Sequence, residues 1–139
     1  MRQILIASHA HFAPGILESV EFLAGKKGNM RAIPFFVDGN NDVAEKASQV
    51  MAGLSDGDDL VVCTDLLGGS VNNEFLKAAQ TNDNVYLVTN MNLPLLLQLA
   101  LADEGQDTAE MLREIVESED TRVKFVNDMV SENDEDEDF

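Results

Sequence analysis

Apolar residues run through this chain in two alternating rhythms. Gln3–Ser8 (QILIAS), Arg31–Val37 (RAIPFFV), Asp59–Thr64 (DLVVCT) and Asn84–Thr89 (NVYLVT) are short, largely apolar runs, the form taken by parallel strands buried on both faces. DLVVCT, β-branched and continuously apolar, reads as the central strand. Pro34 cannot donate a ladder hydrogen bond, so the second run belongs at a sheet edge.

Between these runs the apolar positions recur at helical spacing. Ile16, Val20, Leu23 and Ala24 predict a helix over Ile16–Lys26, with Lys26, Lys27 and Gly28 as its C-terminal signal. Val43, Ala44, Ala47, Val50, Met51 and Leu54 predict a second over Asn41–Leu54, opened by Asn41 or Asp42 and closed at Ser55-Asp56-Gly57. A third over Ser70–Gln80 has Ser70 placed to cap it. A fourth opens near Leu93-Pro94, since proline is tolerated in a first turn. The fifth, Asp107–Ser118, carries Ala109, Leu112, Ile115 and Val116 as its stripe. Thr121–Val126 then alternates as a half-exposed strand does. Strand and helix alternate without repeats or linkers, which predicts an α/β domain built on a mainly parallel sheet over residues 1–130.

Composition narrows the class. The 139 residues suit one domain, and 45% hydrophobic content is enough for a core. The net charge is −17, of which six acids fall in Ser131–Phe139 (SENDEDEDF), a segment that reads as a solvated, disordered tail. The rest is acidic too, which disfavours nucleic acid and direct membrane binding. The single cysteine, Cys63, allows no internal disulfide and fits a reducing, cytoplasmic setting. No apolar run has signal-peptide or membrane-spanning length.

In an open parallel sheet, ligands bind beyond the carboxyl ends of the strands, near the switch in strand order. Those ends are Ser8-His9-Ala10-His11, Asp38-Gly39-Asn40, Asp65 to Ser70, and Asn90-Met91-Asn92. His9-x-His11 could begin a metal site. Zinc, however, needs three or four ligands, and no third histidine exists. Ser70 or Ser8 with His9 and Asp65 could form a hydrolytic set, but the Gly-x-Ser-x-Gly elbow is missing. A phosphoryl site asks for less. Gly68-Gly69-Ser70 between strand and helix lets the backbone approach an anion and aims free N–H groups at it. A histidine nucleophile, a carboxylate holding its other nitrogen and a few neutral donors complete the set. His9, Asp65 and Ser70 could supply them. Each also has a structural reading: Gly-Gly-Ser as a plain turn, Asp65 as a turn or cap residue, His11 as a loop residue.

Three motifs in order, Ala7-Ser8-His9 closing the first strand, Asp65-x-x-Gly68-Gly69-Ser70 after the central one and Asn90-x-Asn92-x-Pro94 after the next, resemble one family. It is the IIA component (EIIA) of the mannose/fructose/sorbose family of the bacterial phosphoenolpyruvate:sugar phosphotransferase system (PTS). The resemblance covers residues 1–127. It implies a four-stranded parallel sheet with helices on both faces, and a fifth strand exchanged in a homodimer, for which Thr121–Val126 is the candidate. It implies that His9 accepts a phosphoryl group from phospho-HPr and passes it to the IIB component, for sugar uptake through a membrane permease (IIC/IID). Asp65 would hold Nδ1–H, leaving Nε2 to be phosphorylated. Ser70 and the backbone N–H groups around Gly69, Ser70 and Val71 would hold the phosphoryl oxygens. No cofactor or metal is implied, and membrane association would come only through the permease. Met91 and Leu93–Leu97 could face a protein partner, the Leu93–Leu101 run reading as core or dimer surface; Asn92 could shape its loop or make direct contact, and Leu66 and Leu67 bear on the shape of the rim. The sugar is chosen by IIB and the permease, so the residues of this chain do not name it.

Overall fold

The computed structural model describes residues 1–132. Four parallel strands, β1 (Arg2–His9), β2 (Met30–Phe35), β3 (Asp59–Thr64) and β4 (Val85–Val88), form one sheet in the order β2-β1-β3-β4. Five helices, α1 (Phe12–Ala24), α2 (Val43–Ala52), α3 (Ser70–Thr81), α4 (Leu93–Leu101) and α5 (Thr108–Glu117), cover it. A 3₁₀ turn at Glu119–Thr121 and a short α6 (Val126–Glu132) follow.

The two-residue period of the strands divides the core in two. Ile4, Ile6, Val61 and Cys63 pack with Ala13, Val20, Leu96, Leu99, Met111 and Ile115, under α1, α4 and α5. Leu5, Ala7, Leu60 and Val62 pack with Val43, Ala47, Val50, Val71 and Phe75, under α2 and α3. Because both faces are covered, β1 and β3 can be almost wholly apolar. The edge position expected for the proline-bearing strand is met, since β2 flanks only β1. At the amino ends of the strands the buried Arg2 guanidinium donates to Thr108 Oγ1, Asp103 O and Gln106 O, tying the sheet to the start of α5.

Several boundaries differ from expectation, each for a local reason. Helix α1 begins at Phe12 rather than Ile16, because buried Ser8 accepts the Ala13 N–H at 2.7 Å and Pro14 fits the first turn. It ends at Ala24, with Gly25 at φ 83°, so Gly28 is not its stop. The N-cap of α3 is Gly69, and Ser70 is the first helical residue, not the cap. Asp42 caps α2 and Asn92 caps α4, each through its carboxylate or amide oxygen.

The single chain bears on two further expectations. Met91, Leu95 and Leu96 are buried core residues, with half-buried Leu93 and Leu97 packed against them, so of the two readings of this run, core or partner surface, the core one holds for those three. In the single chain, residues 122–125 pair with no strand, and Val126 opens α6 instead of closing a strand. In the single chain they lie on neither edge of the sheet, β2 or β4. Of the tail expected at 131–139, the first two residues fall in α6 and the rest lies outside the described residues.

Candidate active site

The connection from β1 to β2 leaves to one side of the sheet, whereas β3 lies on the other side of β1. The switch in strand order therefore falls between β1 and β3, where a crevice opens at the carboxyl ends. Ala7 is registered against Thr64, so the next residues, Ser8-His9 and Asp65, emerge together at that crevice. Every strand is followed, in the loop after it, by a residue with positive φ: Ala10 (52°), Phe36 and Asp38 (65° and 56°), Gly68 (79°) and Asn90 (55°). Such backbone clusters at functional sites, where it re-aims side chains at a cost of about 1–3 kcal/mol per non-glycine residue.

His9 and Asp65 are in direct contact. Asp65 Oδ2 accepts the main-chain N–H of His9 at 2.8 Å and lies 3.0 Å from His9 Nδ1, while Oδ1 accepts the Leu66 N–H at 3.0 Å. A carboxylate has only acceptors. Nδ1 is therefore the nitrogen that donates, which in the neutral ring puts the lone pair on Nε2. Among the described residues Nε2 has no hydrogen-bond partner, and the His9 side chain is 37% exposed against 13% for Asp65.

The loop after β3 sets what lies beside that lone pair. A Cβ added to Gly69 would stand 3.0 Å from His9 Cε1 and 3.5 Å from Nε2. Glycine serves close approach here rather than backbone freedom, since its φ of −75° is ordinary. The first intrahelical bond of α3 runs from Asn73 N–H to Gly69 O, which leaves the N–H groups of Ser70, Val71 and Asn72 without helical acceptors beside the imidazole. The Ser70 side chain is exposed and, because Gly69 is the cap, its hydroxyl is not committed to the helix. None of the nine Lys and Arg residues falls in the four strand-end loops.

His11 is built differently. Its Nε2, the nitrogen that His9 leaves open, lies 2.8 Å from Asp38 Oδ2, in an exposed pair that joins the β1–α1 and β2–α2 connections. The two histidines share no carboxylate, and no group of three or more metal-ligating side chains occurs among the described residues. Burial pushes the Cys63 thiol up to about 12, so it is an inert core residue. Asn92 shapes its loop, accepting the Leu95 N–H and donating to Thr121 O at 2.7 Å.

Three parts of the site escape sequence reasoning. The buried Thr64 hydroxyl lies 2.8 Å from Asn72 Oδ1 and 2.9 Å from Thr89 Oγ1, pinning the residue before Asp65 to α3 and to the end of β4. A hydroxyl ending an apolar strand was its one signal. Phe36 stacks on His9, centroids 5.6 Å apart and planes 25° apart. Phe12, in the first turn of α1, is exposed and apolar, as are Phe36 and the rim residues Leu66 and Leu67 named above.

Comparison with known proteins follows the same lines. The family described as PTS system fructose IIA component (EIIA-man) matches residues 3–116. The PTS system fructose-specific EIIA component of Bacillus subtilis is 23% identical over 116 residues, 83% of this chain and 80% of that one. Among solved structures, a candidate phosphoenolpyruvate-dependent sugar PTS permease from Klebsiella pneumoniae is 29% identical, with a TM-score of 0.85 over 93% of each chain. A PTS IIA protein associated with the fucose utilization operon of Streptococcus pneumoniae is 31% identical, with a TM-score of 0.79 over 93% of this chain and 96% of that one. Like the site, these matches lead to a single conclusion: the chain belongs to the EIIA-man family, the IIA components of the sugar phosphotransferase system.

Proposed function

We propose that His9 is the phosphoryl carrier of this IIA component, charged by phospho-HPr and discharged to the IIB component. The observation that carries the reading is the asymmetry of the His9 ring, with Nδ1 held by Asp65 and Nε2 unpaired against Gly69. In the first step the Nε2 lone pair forms a bond to phosphorus. The donor's N–P bond breaks, and its electron pair stays on the donor's imidazole. Nδ1 keeps its proton, so the ring becomes an imidazolium, stabilised by the Asp65 carboxylate beside it. Ser70 Oγ and the N–H groups of Gly69, Ser70 and Val71 hold the phosphoryl oxygens. The second step reverses the first with a nucleophile of IIB. Neutral donors suit a group that must leave again, because a clamp of positive charge would hold it.

Both partners are proteins, and the exposed apolar residues Phe12, Leu66 and Leu67 give them a rim to press on. The acidic surface favours partners that are basic around their own site. No helix among the described residues is long and apolar enough to cross a membrane, and we place the protein in the cytoplasm, with any membrane contact made through the permease complex.

We also propose a homodimer formed by strand exchange. Among the described residues the β4 edge carries no further strand. Beside it runs an apolar groove of about 490 Å³, lined by Leu76, Tyr86, Val88, Leu112 and Val116 among others. Val123 is 96% and Phe125 67% exposed in the single chain. A second copy's residues 121–126 would cover the groove and bury its own apolar positions.

The carrier reading is tested by incubating the protein with phosphoenolpyruvate, enzyme I and HPr. One added phosphoryl group, acid-labile and alkali-stable, is expected; no uptake would contradict it.

A further inference from the structure

The ring of Phe36 occupies a costly position. A bulky residue at φ 65° is rare, and three hydrogen bonds hold the backbone there: Phe36 N–H to Asn40 O at 2.8 Å, Asn40 N–H to Val37 O at 3.1 Å and Asn40 Nδ2 to Pro34 O at 3.2 Å. The ring gains little burial in return, being 43% exposed. Its neighbour Phe35, by contrast, is fully buried and packs edge-on to Phe75 in the core. What Phe36 does gain is the near-parallel stack on His9. The His9 ring is then limited by Asp65 at Nδ1, Gly69 at Cε1 and Phe36 on one face.

We infer that Phe36 is a positioning residue for phosphoryl transfer, holding the His9 imidazole in its reactive orientation and favouring the imidazolium that forms as Nε2 takes the phosphoryl group. This rests on the reading of His9 as carrier. The face of an aromatic ring is negative, and a cation within about 6 Å of its centroid is attracted. The charge arises on His9 when its Nε2 lone pair becomes the N–P bond while Nδ1–H is retained. It disappears when that bond breaks toward an acceptor or water. Phe36 therefore acts most strongly on the phosphorylated state and on the transition states leading to it.

Four variants separate this role from packing. F36Y and F36W keep an aromatic face; F36L keeps apolar bulk without one; F36G removes the ring and relieves the positive φ. Each is measured for the rate of phosphorylation by phospho-HPr, for the lifetime of the isolated phosphoprotein at fixed pH, and for Tm. F36Y and F36W are expected within about twofold of the parent in both rate and lifetime. F36L and F36G are expected to lose about three- to tenfold in each, with the Tm of F36G at or above the parent's because the strain is gone. A stability gain coupled to a functional loss is a signature that a merely structural residue does not give. F36L charging and hydrolysing at the parent's rates would overturn the inference while leaving His9 as carrier. An unmodified parent protein would instead overturn the carrier reading itself.

Discussion

At the scale of single residues, the site depends on what each of two nitrogens touches. Asp65 engages one of them and also the backbone of the residue that bears it, so it sets ring tautomer and strand end together. Asp65→Asn keeps the shape but can present an N–H where an acceptor is needed. A hydrogen bond to a charged group is worth about 1.5–3 kcal/mol, so transfer is expected to slow about ten- to a hundredfold, while circular dichroism and Tm show an intact fold. An unchanged rate would make Asp65 structural only. Gly69→Ala tests the other side of the ring. Its Cβ would stand 3.0 Å from His9 Cε1, and the imidazole has little room to yield between Asp65 and Phe36. Slower charging with little change in stability is expected, because the backbone at Gly69 suits any residue. His9, Asp65 and Gly69 were legible in the sequence, since each lies in a motif at the end of an apolar strand. The stacking of Phe36 and the pairing of Asp38 with His11 were not. Both come from left-handed backbone in a turn, and nothing in RAIPFFVDGN states which of two adjacent phenylalanines faces the core.

At the scale of elements, strands were read more accurately than helix ends. A run such as DLVVCT is delimited by its own composition, whereas a helix start depends on which polar group reaches back to it. Ser8 starts α1 from five residues away, and its hydroxyl is indistinguishable in sequence from any other loop serine. Gly69 took the cap position expected for Ser70, and that substitution leaves the serine hydroxyl uncommitted at the site. The Thr64 network ties three elements at this point. Thr64→Val would leave the buried Asn72 side chain without its hydroxyl partner, for a cost of about 1–3 kcal/mol. Urea denaturation would measure it, and a change below about 0.5 kcal/mol would mean that the network does not hold α3 in place.

At the scale of the whole molecule, the strand order β2-β1-β3-β4 turns two motifs 56 residues apart into neighbours. The parallel sheet and the meeting of both motifs at its carboxyl ends followed from alternating strands and helices and from the family resemblance; the strand order itself did not. The fate of residues 121–126 did not, because an alternating pattern predicts a strand without naming the chain that it pairs with. If β4 accepts this segment from a second copy, sedimentation should give twice the 15.2 kDa chain mass, and Val123→Asp should shift it toward monomer. A monomeric parent protein would contradict the exchange. The central claim, that His9 carries the phosphoryl group on Nε2, is tested most directly by locating the modification after charging with phosphoenolpyruvate, enzyme I and HPr. Intact mass together with ¹⁵N-imidazole NMR should show one phosphoryl group on Nε2 of His9, absent from His9→Ala and retained in His11→Ala. Phosphorylation that persists in His9→Ala, or that falls on Nδ1, would contradict it.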